Sequence, residues 1–186
     1  MCGIVGYIGN KNAQDFLISG LKRLEYRGYD SAGIVTINST NQPSSATLLR
    51  AQGKIANLEQ KVSKAKREDH IGIGHTRWAT HGEPSETNAH PHQAGPIYLV
   101  HNGIIENYKE LKAKLEKTHQ FVSETDTEVA VNLIEYFYLK EKNILNTLFL
   151  VQRELKGSYA FAIMFEDDAN TLYAMRKDSP LIVGKG

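Results

Sequence analysis

The spacing of hydrophobic residues along the chain changes repeatedly between the two-residue period of strands and the three- to four-residue period of helices. An apolar, glycine-rich run over residues 2–8 predicts a short buried strand near the start of the chain. Apolar side chains then recur at helical spacing, which predicts an amphipathic helix that faces a core and ends near Arg27 and Gly28. Its apolar positions are Phe16, Leu17, Gly20, Leu21 and Leu24.

The same criteria predict further elements along the rest of the chain. Strands are predicted over residues 32–37, 46–50, 71–76, 96–101, 158–165, 171–176 and 181–183. Helices are predicted over residues 55–65 and around the apolar positions of 108–115, 129–137 and 144–155. Thr125 and Glu128 fit a capping box before the third of these helices. Strands in blocks separated by paired helices indicate a layered α/β fold of the α+β kind, with an antiparallel hairpin over 158–176.

Composition and charge narrow the class of protein. The chain has 186 residues, of which 41% are hydrophobic and 23% charged, so we expect one globular domain with a substantial core. A formal charge of only +1 provides no long-range attraction for nucleic acid or an anionic membrane, and we expect neither as a partner. The chain starts without a basic leader and has no apolar run of membrane-spanning length, so we expect a cytoplasmic protein.

Cys2 is the only cysteine, and its position behind the initiator methionine gives it a possible chemistry. Removal of Met1 would leave Cys2 with a free α-amino group, so that a thiol and a base would share one residue. Because an α-amine titrates near pH ~8 and a cysteine near pH ~8.5, the amine can accept the thiol proton at neutral pH. The alternative is that Cys2 is an incidental small apolar residue close to a terminus.

A long polar segment over residues 77–95 follows a predicted strand, and loops of this length are usually functional or disordered. At its start, Arg77 could clamp a carboxylate and Trp78 could exclude water. Thr80 and His81 could form hydrogen bonds to a substrate. The alternative reading of this segment is an exposed arginine beside a packed tryptophan.

Two further positions carry groups suited to binding charge. Asn102 and Gly103 offer a side-chain amide and a flexible backbone N–H, which are the two donors that an oxyanion requires, although Asn-Gly is also a common hairpin turn. Asp126 lies at the predicted start of a helix, where its carboxylate could hold an ammonium group or could only stabilise the helix end.

Five histidines within 27 positions raise the alternative of a metal hydrolase: His75, His81, His90, His92 and His101. Metal sites usually add carboxylates or thiolates at defined spacing, and the chain has no HExxH pattern. Gly3, Gly6 and Gly9 also lack the spacing of a nucleotide-binding loop. We therefore expect neither a metal nor another cofactor.

Several stretches, in this order, resemble the signatures of the N-terminal-nucleophile, class II glutamine amidotransferases. They are residues 1–6, 27–33, 75–82 and 101–103. The resemblance runs along nearly the whole chain, and several motifs in the same order are more specific than any one of them. It implies a four-layer αββα sandwich of two antiparallel sheets.

The resemblance also implies a role for each candidate residue. Cys2 would attack the side-chain amide of L-glutamine, Asn102 and Gly103 would form the oxyanion hole, Arg77 would bind the substrate carboxylate, and Asp126 its ammonium group. The remaining candidates would belong to a loop that closes over bound glutamine: Trp78, Thr80 and His81.

Three stretches, residues 24–31, 78–85 and 123–128, are most similar to family members that carry a sugar-isomerase half with a fructose 6-phosphate site. Such members continue beyond the length of this chain, so we expect residues 1–186 to be a glutaminase domain without its last strands and without the isomerase half. An unpaired sheet edge would favour self-association, such as a homodimer, or a loss of stability. The alternatives are another ammonia acceptor such as phosphoribosyl pyrophosphate, a non-catalytic glutamine-sensing domain, and the metal hydrolase.

Overall fold

A computed structural model describes residues 2–38, 44–78 and 82–185 of the chain. Its framework is a pair of four-stranded antiparallel sheets. The first sheet has the order β1-β4-β2-β3 and contains β1 (Gly3–Ile8), β2 (Ser31–Asn38), β3 (Ser45–Gln52) and β4 (Ile71–Arg77). The second has the order β5-β6-β7-β8 and contains β5 (His92–Ala94), β6 (Ile97–Ile105), β7 (Gly157–Phe165) and β8 (Tyr173–Lys177).

Helices cover the outer face of each sheet. The first sheet is covered by α1 (Ala13–Leu24), which continues into a 3-10 turn over Glu25–Arg27, and by α2 (Ile55–Lys64). The second is covered by α3 (Tyr108–Leu115), α4 (Asp126–Glu141) and α5 (Ile144–Glu154). The layers therefore follow the order αββα, which confirms the predicted sandwich.

Three apolar clusters fill the spaces between the four layers, and the alternation of side chains along each strand explains them. On β2, Ala32 and Ile34 pack against α1 and α2, whereas Val35 and Ile37 face the second sheet. The third cluster, between the second sheet and its helices, is the largest and includes Phe161 of β7.

Helix α4 begins as its sequence predicts. The Thr125 side chain accepts a hydrogen bond from the Glu128 N–H, as a helix N-cap does. The Glu128 carboxylate reaches back to the N–H groups of Val122 and Ser123, rather than to that of Thr125. This reciprocal arrangement fixes the entry of the chain into α4, where Asp126 is the first helical residue.

Two predicted strands differ from the structure. The strand over residues 2–8 is real but not buried, because β1 lies at the edge of its sheet and Ile8 is 51% exposed. The strand predicted over 181–183 is wrong: this segment has no regular structure, and Ile182 is 93% exposed. A three-residue apolar run forms a strand only where a neighbouring strand completes its hydrogen bonds. The sequence also gave no signal for the short strand β5.

None of the helices in the described part of the chain combines the length and the hydrophobicity needed to cross a bilayer.

Gly33 of β2 allows a close approach of the segment that carries His90. A Cβ atom at position 33 would lie 2.2 Å from the carbonyl oxygen of His90. We predict that Gly33→Ala lowers the free energy of unfolding by about 1–3 kcal/mol, because backbone cannot move aside as a flexible side chain can.

Urea unfolding of the variant measures this loss, and Gly184→Ala is the matched control because, apart from its chain neighbours, no atom of the described residues lies within 4 Å of the added methyl group. Equal stability of the two variants would contradict the close approach.

Candidate active site

Cys2 lies immediately before β1, next to the end of β4, because the pairing of these strands places Gly3 opposite Thr76. The Trp78 N–H donates a hydrogen bond to Cys2 Sγ at 3.3 Å, and the thiol lies 3.6 Å from the Trp78 carbonyl oxygen. Burial raises the pKa of the Cys2 thiol, and the Trp78 N–H partly opposes this by stabilising the thiolate. The thiol is free and partly buried.

Asn102 of β6 reaches across the space between the two sheets to the same position. Its Nδ2 donates to the carbonyl oxygen of Cys2 at 3.3 Å, and its Oδ1 lies 3.0 Å from Nε2 of His75 on β4. Cys2 and Asn102 line one cavity of about 860 Å³, whose other walls include β1 and residues 172–174. The structure thus brings together a thiol and an amide donor that are 100 positions apart in the sequence.

Gly103 adopts a backbone conformation that favours glycine. Its φ is 129°, and a Cβ atom there would lie 2.0 Å from the carbonyl oxygen of Ser158 on the neighbouring strand. The alternative that Asn102 and Gly103 form a hairpin turn is wrong, because both residues lie within β6, which continues to Ile105. The glycine is therefore required by strand packing beside the amide.

Arg77 is the last residue of β4 and is buried. Its Nη2 donates to the carbonyl oxygen of Gly82 at 3.0 Å, its Nη1 donates to that of Glu83 at 3.3 Å, and Nη1 lies 4.0 Å from Asp30 Oδ1. These contacts hold the start of the long loop against the strand, so the interpretation of Arg77 as an exposed arginine is wrong.

Trp78 follows Arg77 and is 45% exposed, with its ring edge-on to Tyr29 at a centroid distance of 5.2 Å. The same residue supplies the backbone groups that contact the Cys2 thiol. Thr80 and His81, which the sequence predicts for the same loop, lie outside the described residues.

Asp126 is buried at the start of α4, on the side of β6 that faces the helices. Its Oδ2 accepts a hydrogen bond from the Ile105 N–H at 2.8 Å, and its Oδ1 lies 3.8 Å from Nδ1 of His101. The carboxylate therefore ties the end of β6 to α4, two strand residues beyond Gly103.

Three buried histidines, His75, His90 and His92, form a cluster next to Asn102. The rings of His75 and His90 are tilted against each other at 33° with centroids 4.2 Å apart, and His92 lies edge-on to His90 at 5.0 Å. Burial lowers the pKa of His75 and that of His92 to about 3, and lowers the pKa of His90 well below its ordinary value. These rings are neutral at pH 7. Among residues 2–38, 44–78 and 82–185, no group of three or more histidine, cysteine or acidic side chains is arranged to hold a metal ion.

The sequence analysis named no partner for Asn102, and in the structure that partner is His75. The strand period indicates only that His75 and Arg77, two residues apart on β4, point to the same side of the sheet. A second contact without a signal in the sequence connects the long loop to the segment before α4. Glu124 accepts hydrogen bonds from the Glu83 N–H and from the Asn88 side chain.

Comparison with known families gives a match over more than half of the chain. The sequence model of the family described as "Glutamine amidotransferase domain" matches residues 75–185. The matched region contains Arg77, Asn102, Gly103 and Asp126 and excludes Cys2.

Curated relatives are similar over the complete chain. Glutamine–fructose-6-phosphate aminotransferase (isomerizing) of Caldanaerobacter subterraneus is 52% identical over 189 residues, which cover 100% of this chain and 30% of the relative. The protein of the same name from Clostridium perfringens is 49% identical with the same coverage. This chain therefore spans about 30% of the length of these relatives.

Solved structures show a similar fold. The glutamine phosphoribosylpyrophosphate amidotransferase of B. subtilis has a TM-score of 0.70 at 33% identity, covering 89% of this chain and 35% of that one. A structure described as the allosteric regulatory enzyme of purine biosynthesis has a TM-score of 0.72 at 34% identity, covering 89% of this chain and 36% of that one.

The buried histidines predict a dependence of stability on pH. His75 and His92 have a pKa of about 3 in the folded chain against an ordinary 6.5, so below pH 6.5 the unfolded chain binds protons that the folded chain does not. We predict that the free energy of unfolding is highest above pH 6.5 and falls toward pH 5, by up to about 1.4 kcal/mol per pH unit for each histidine.

Urea unfolding at pH 7.5, 6.0 and 5.0 measures the slope, which we expect to be smaller in His92→Gln than in the wild-type chain. His70→Gln, which changes an exposed histidine, is the control. An unchanged slope in His92→Gln would contradict the attribution of the pH dependence to His92.

Proposed function

Because this chain belongs to the glutamine amidotransferase domain family, we propose that it hydrolyses L-glutamine to glutamate and ammonia with Cys2 as the nucleophile. The observation that carries the proposal is the contact between Cys2 and Asn102, in which an amide N–H donor lies 3.3 Å from the carbonyl oxygen of the residue that bears the thiol. A nucleophile beside a fixed donor is the arrangement that acyl transfer requires.

The reaction proceeds in two halves. In the first, Cys2 Sγ attacks the side-chain carbonyl carbon of glutamine, and the thiol proton passes through a base to the amide nitrogen. The C–N bond then breaks, ammonia departs, and the glutamyl group remains bound to Cys2 as a thioester. In the second, water adds to the thioester carbonyl, glutamate is released, and the thiol regains its proton. We assign the base to the α-amine that removal of Met1 gives to Cys2, since such an amine titrates near pH ~8.

Asn102 and Gly103 stabilise the anion that forms on the substrate oxygen in both halves. The Nδ2 group of Asn102 already faces Cys2, and the Gly103 N–H is the second donor. Each such donor typically contributes a factor of about 10²–10³ to kcat.

The two charged ends of glutamine have separate partners. Arg77 binds the carboxylate, and its position is supported by the loop carbonyls that hold the guanidinium. Asp126 binds the ammonium group. Its partner Ile105 lies two residues beyond Gly103 on β6, which is about 7 Å along a strand and of the order of the length of an extended glutamine. Trp78, Thr80 and His81 close the loop over the substrate.

The ammonia acceptor in the longer relatives is proposed from their names. At 49–52% identity, the relatives called glutamine–fructose-6-phosphate aminotransferase are more similar to this chain than the phosphoribosylpyrophosphate amidotransferase structure at 33%. We therefore favour the glutaminase half of a glucosamine-6-phosphate synthase, in which a sugar-isomerase half binds fructose 6-phosphate and receives the ammonia. Phosphoribosyl pyrophosphate as acceptor, and glutamine binding without turnover, are the alternatives.

Glutamate release from glutamine by the purified chain tests the proposal, with intact mass to establish whether Met1 is removed. We predict that Cys2→Ala lowers kcat by roughly 10³-fold or more, because no other group in the chain can form the thioester. An electrophilic glutamine analogue should add one adduct to the wild-type chain and none to the variant, since Cys2 is the only cysteine. Glutamine binding without turnover in the processed, folded wild-type chain would instead support the binding-domain alternative.

A second prediction concerns the substrate ammonium group. Asp126→Asn retains an acceptor for the Ile105 N–H but removes the charge, so we expect the KM for glutamine to rise by roughly 10- to 100-fold, as for a lost hydrogen bond between charged groups. Glu116→Gln removes an exposed carboxylate at the end of α3 and serves as the control. An equal KM in the two variants would contradict a role of Asp126 in binding the ammonium group and would leave it only the role of stabilising the start of α4.

A further inference from the structure

We propose that His75 is a positioning residue for this reaction: its Nε2–H holds the side-chain amide of Asn102 in the orientation that directs Nδ2 toward Cys2. The inference rests on the proposed function and extends it to a residue that does not itself touch the reacting atoms.

The orientation of the Asn102 amide decides whether it stabilises or destabilises the oxyanion of the proposed reaction. The oxygen and the nitrogen of a carboxamide have nearly the same shape, and a rotation of 180° about the last bond exchanges them. With Nδ2 toward Cys2, as in its contact with the Cys2 carbonyl oxygen, the amide can donate to a developing oxyanion. With Oδ1 in that place, a lone pair would face the same negative charge and would also face the carbonyl oxygen of Cys2.

The contact with His75 fixes one of these two orientations. Asn102 Oδ1 can only accept, so the 3.0 Å contact requires a proton on His75 Nε2. Within the part of the chain that the structure describes, His75 Nδ1 is buried without a hydrogen-bond partner, and a bare acceptor is less costly there than an unpaired N–H would be. Because burial lowers the pKa of His75 to about 3, the ring is neutral and carries this single proton.

The surroundings of His75 prevent its ring from turning away. The ring lies against that of His90 with centroids 4.2 Å apart at an interplanar angle of 33°, and His90 Nδ1 accepts a hydrogen bond from the backbone N–H of His101. His75 also lies on the strand between β1 and β2, opposite Ile4 and Gly33. The hydrogen bond from His75 thus joins the sheet that carries the thiol to the sheet that carries the amide.

Besides Asn102, the His75 side chain contacts the His90 ring and the His101 backbone within the described residues, and neither contact indicates a different role. The thiol of Cys2 is engaged by the backbone of Trp78, and the Nε2 atom of His75 that could accept its proton is already used toward Asn102. The buried histidines also do not form a metal site within the described ranges. These contacts are consistent with one role for the His75 side chain, which is to orient the amide of Asn102.

Variants of His75 that differ in their donor test the proposal by steady-state glutamate release. Gln has an amide N–H that reaches as far as the Nε2 of histidine, whereas Met has nearly the shape of Gln and no donor. We expect His75→Met to lower kcat by about 10- to 100-fold with KM changed by less than about threefold, and His75→Gln to restore most of kcat.

A double-variant cycle separates positioning from a structural role. If His75 acts through Asn102, then adding His75→Met to Asn102→Ala lowers kcat no further, whereas independent effects would multiply. Thermal unfolding and titration of the thiol with an electrophilic glutamine analogue count the folded, competent chains in each sample. If the Met variant does not fold, His75→Asn replaces it, since its shorter amide falls short of Asn102.

The outcomes are distinguishable. A wild-type chain that releases no glutamate contradicts the proposed function and removes this inference with it. A wild-type chain that turns over, together with a folded His75→Met variant of equal kcat, or with equal losses in His75→Met and His75→Gln, overturns the role of His75 alone.

Discussion

The antiparallel pairing of β1 with β4 is the constraint on which the site depends. Its register places Gly3 opposite Thr76, which sets Cys2 beside the backbone of Trp78 and leaves His75 and Arg77 on one side of the same strand. Side chains alternate along a strand, so a shift by one residue would turn all of these groups to the opposite face. Strand β4 is bonded on both sides, to β1 and to β2, and this double pairing holds the register although β1 is an edge strand.

The second sheet contributes Asn102 to the site because the space between the two sheets is apolar along most of its length and polar near Cys2. Away from the site it is filled by apolar side chains such as Val35, Ile73 and Val100. Near Cys2 the same space contains His75 and Asn102, and the Asn102 amide is hydrogen bonded both to His75 and to the carbonyl oxygen of Cys2. Buried polar groups are costly unless they are paired, so this end of the interface tolerates few arrangements. That restriction keeps the thiol and the amide in one relative position.

Local patterns in the sequence predicted the parts of the fold that local forces decide. Helical spacing located each of the α-helices in the described residues, α1 to α5, and the 158–176 hairpin and the Thr125 cap follow from turn and capping residues. The predictions failed where contact with a residue distant in sequence determines the local structure. A strand at residues 181–183 needed a neighbour, the exposure of β1 depends on its place at the edge, and Asn102 and Gly103 continue a strand because β7 pairs with them. The site motifs were visible in sequence, but the hydrogen bond between His75 and Asn102 joins two sheets and has no local signature.

The environment of the thiol also constrains how it could be activated. Burial raises the pKa of Cys2, so at neutral pH the thiol keeps its proton until a base removes it. His75, the histidine that contacts Asn102, is poorly suited to that task, because its pKa is about 3 and its Nε2 already donates to Asn102. A mechanism in which a cysteine is paired with a histidine therefore lacks its base at this position. An amine on Cys2 itself needs no additional side chain within reach of the sulfur, and it would act beside the Trp78 N–H that already stabilises the thiolate. The same neutral histidine that is unsuitable as a base is suited to orienting an amide, since it presents one fixed N–H and no charge that would compete for the oxyanion.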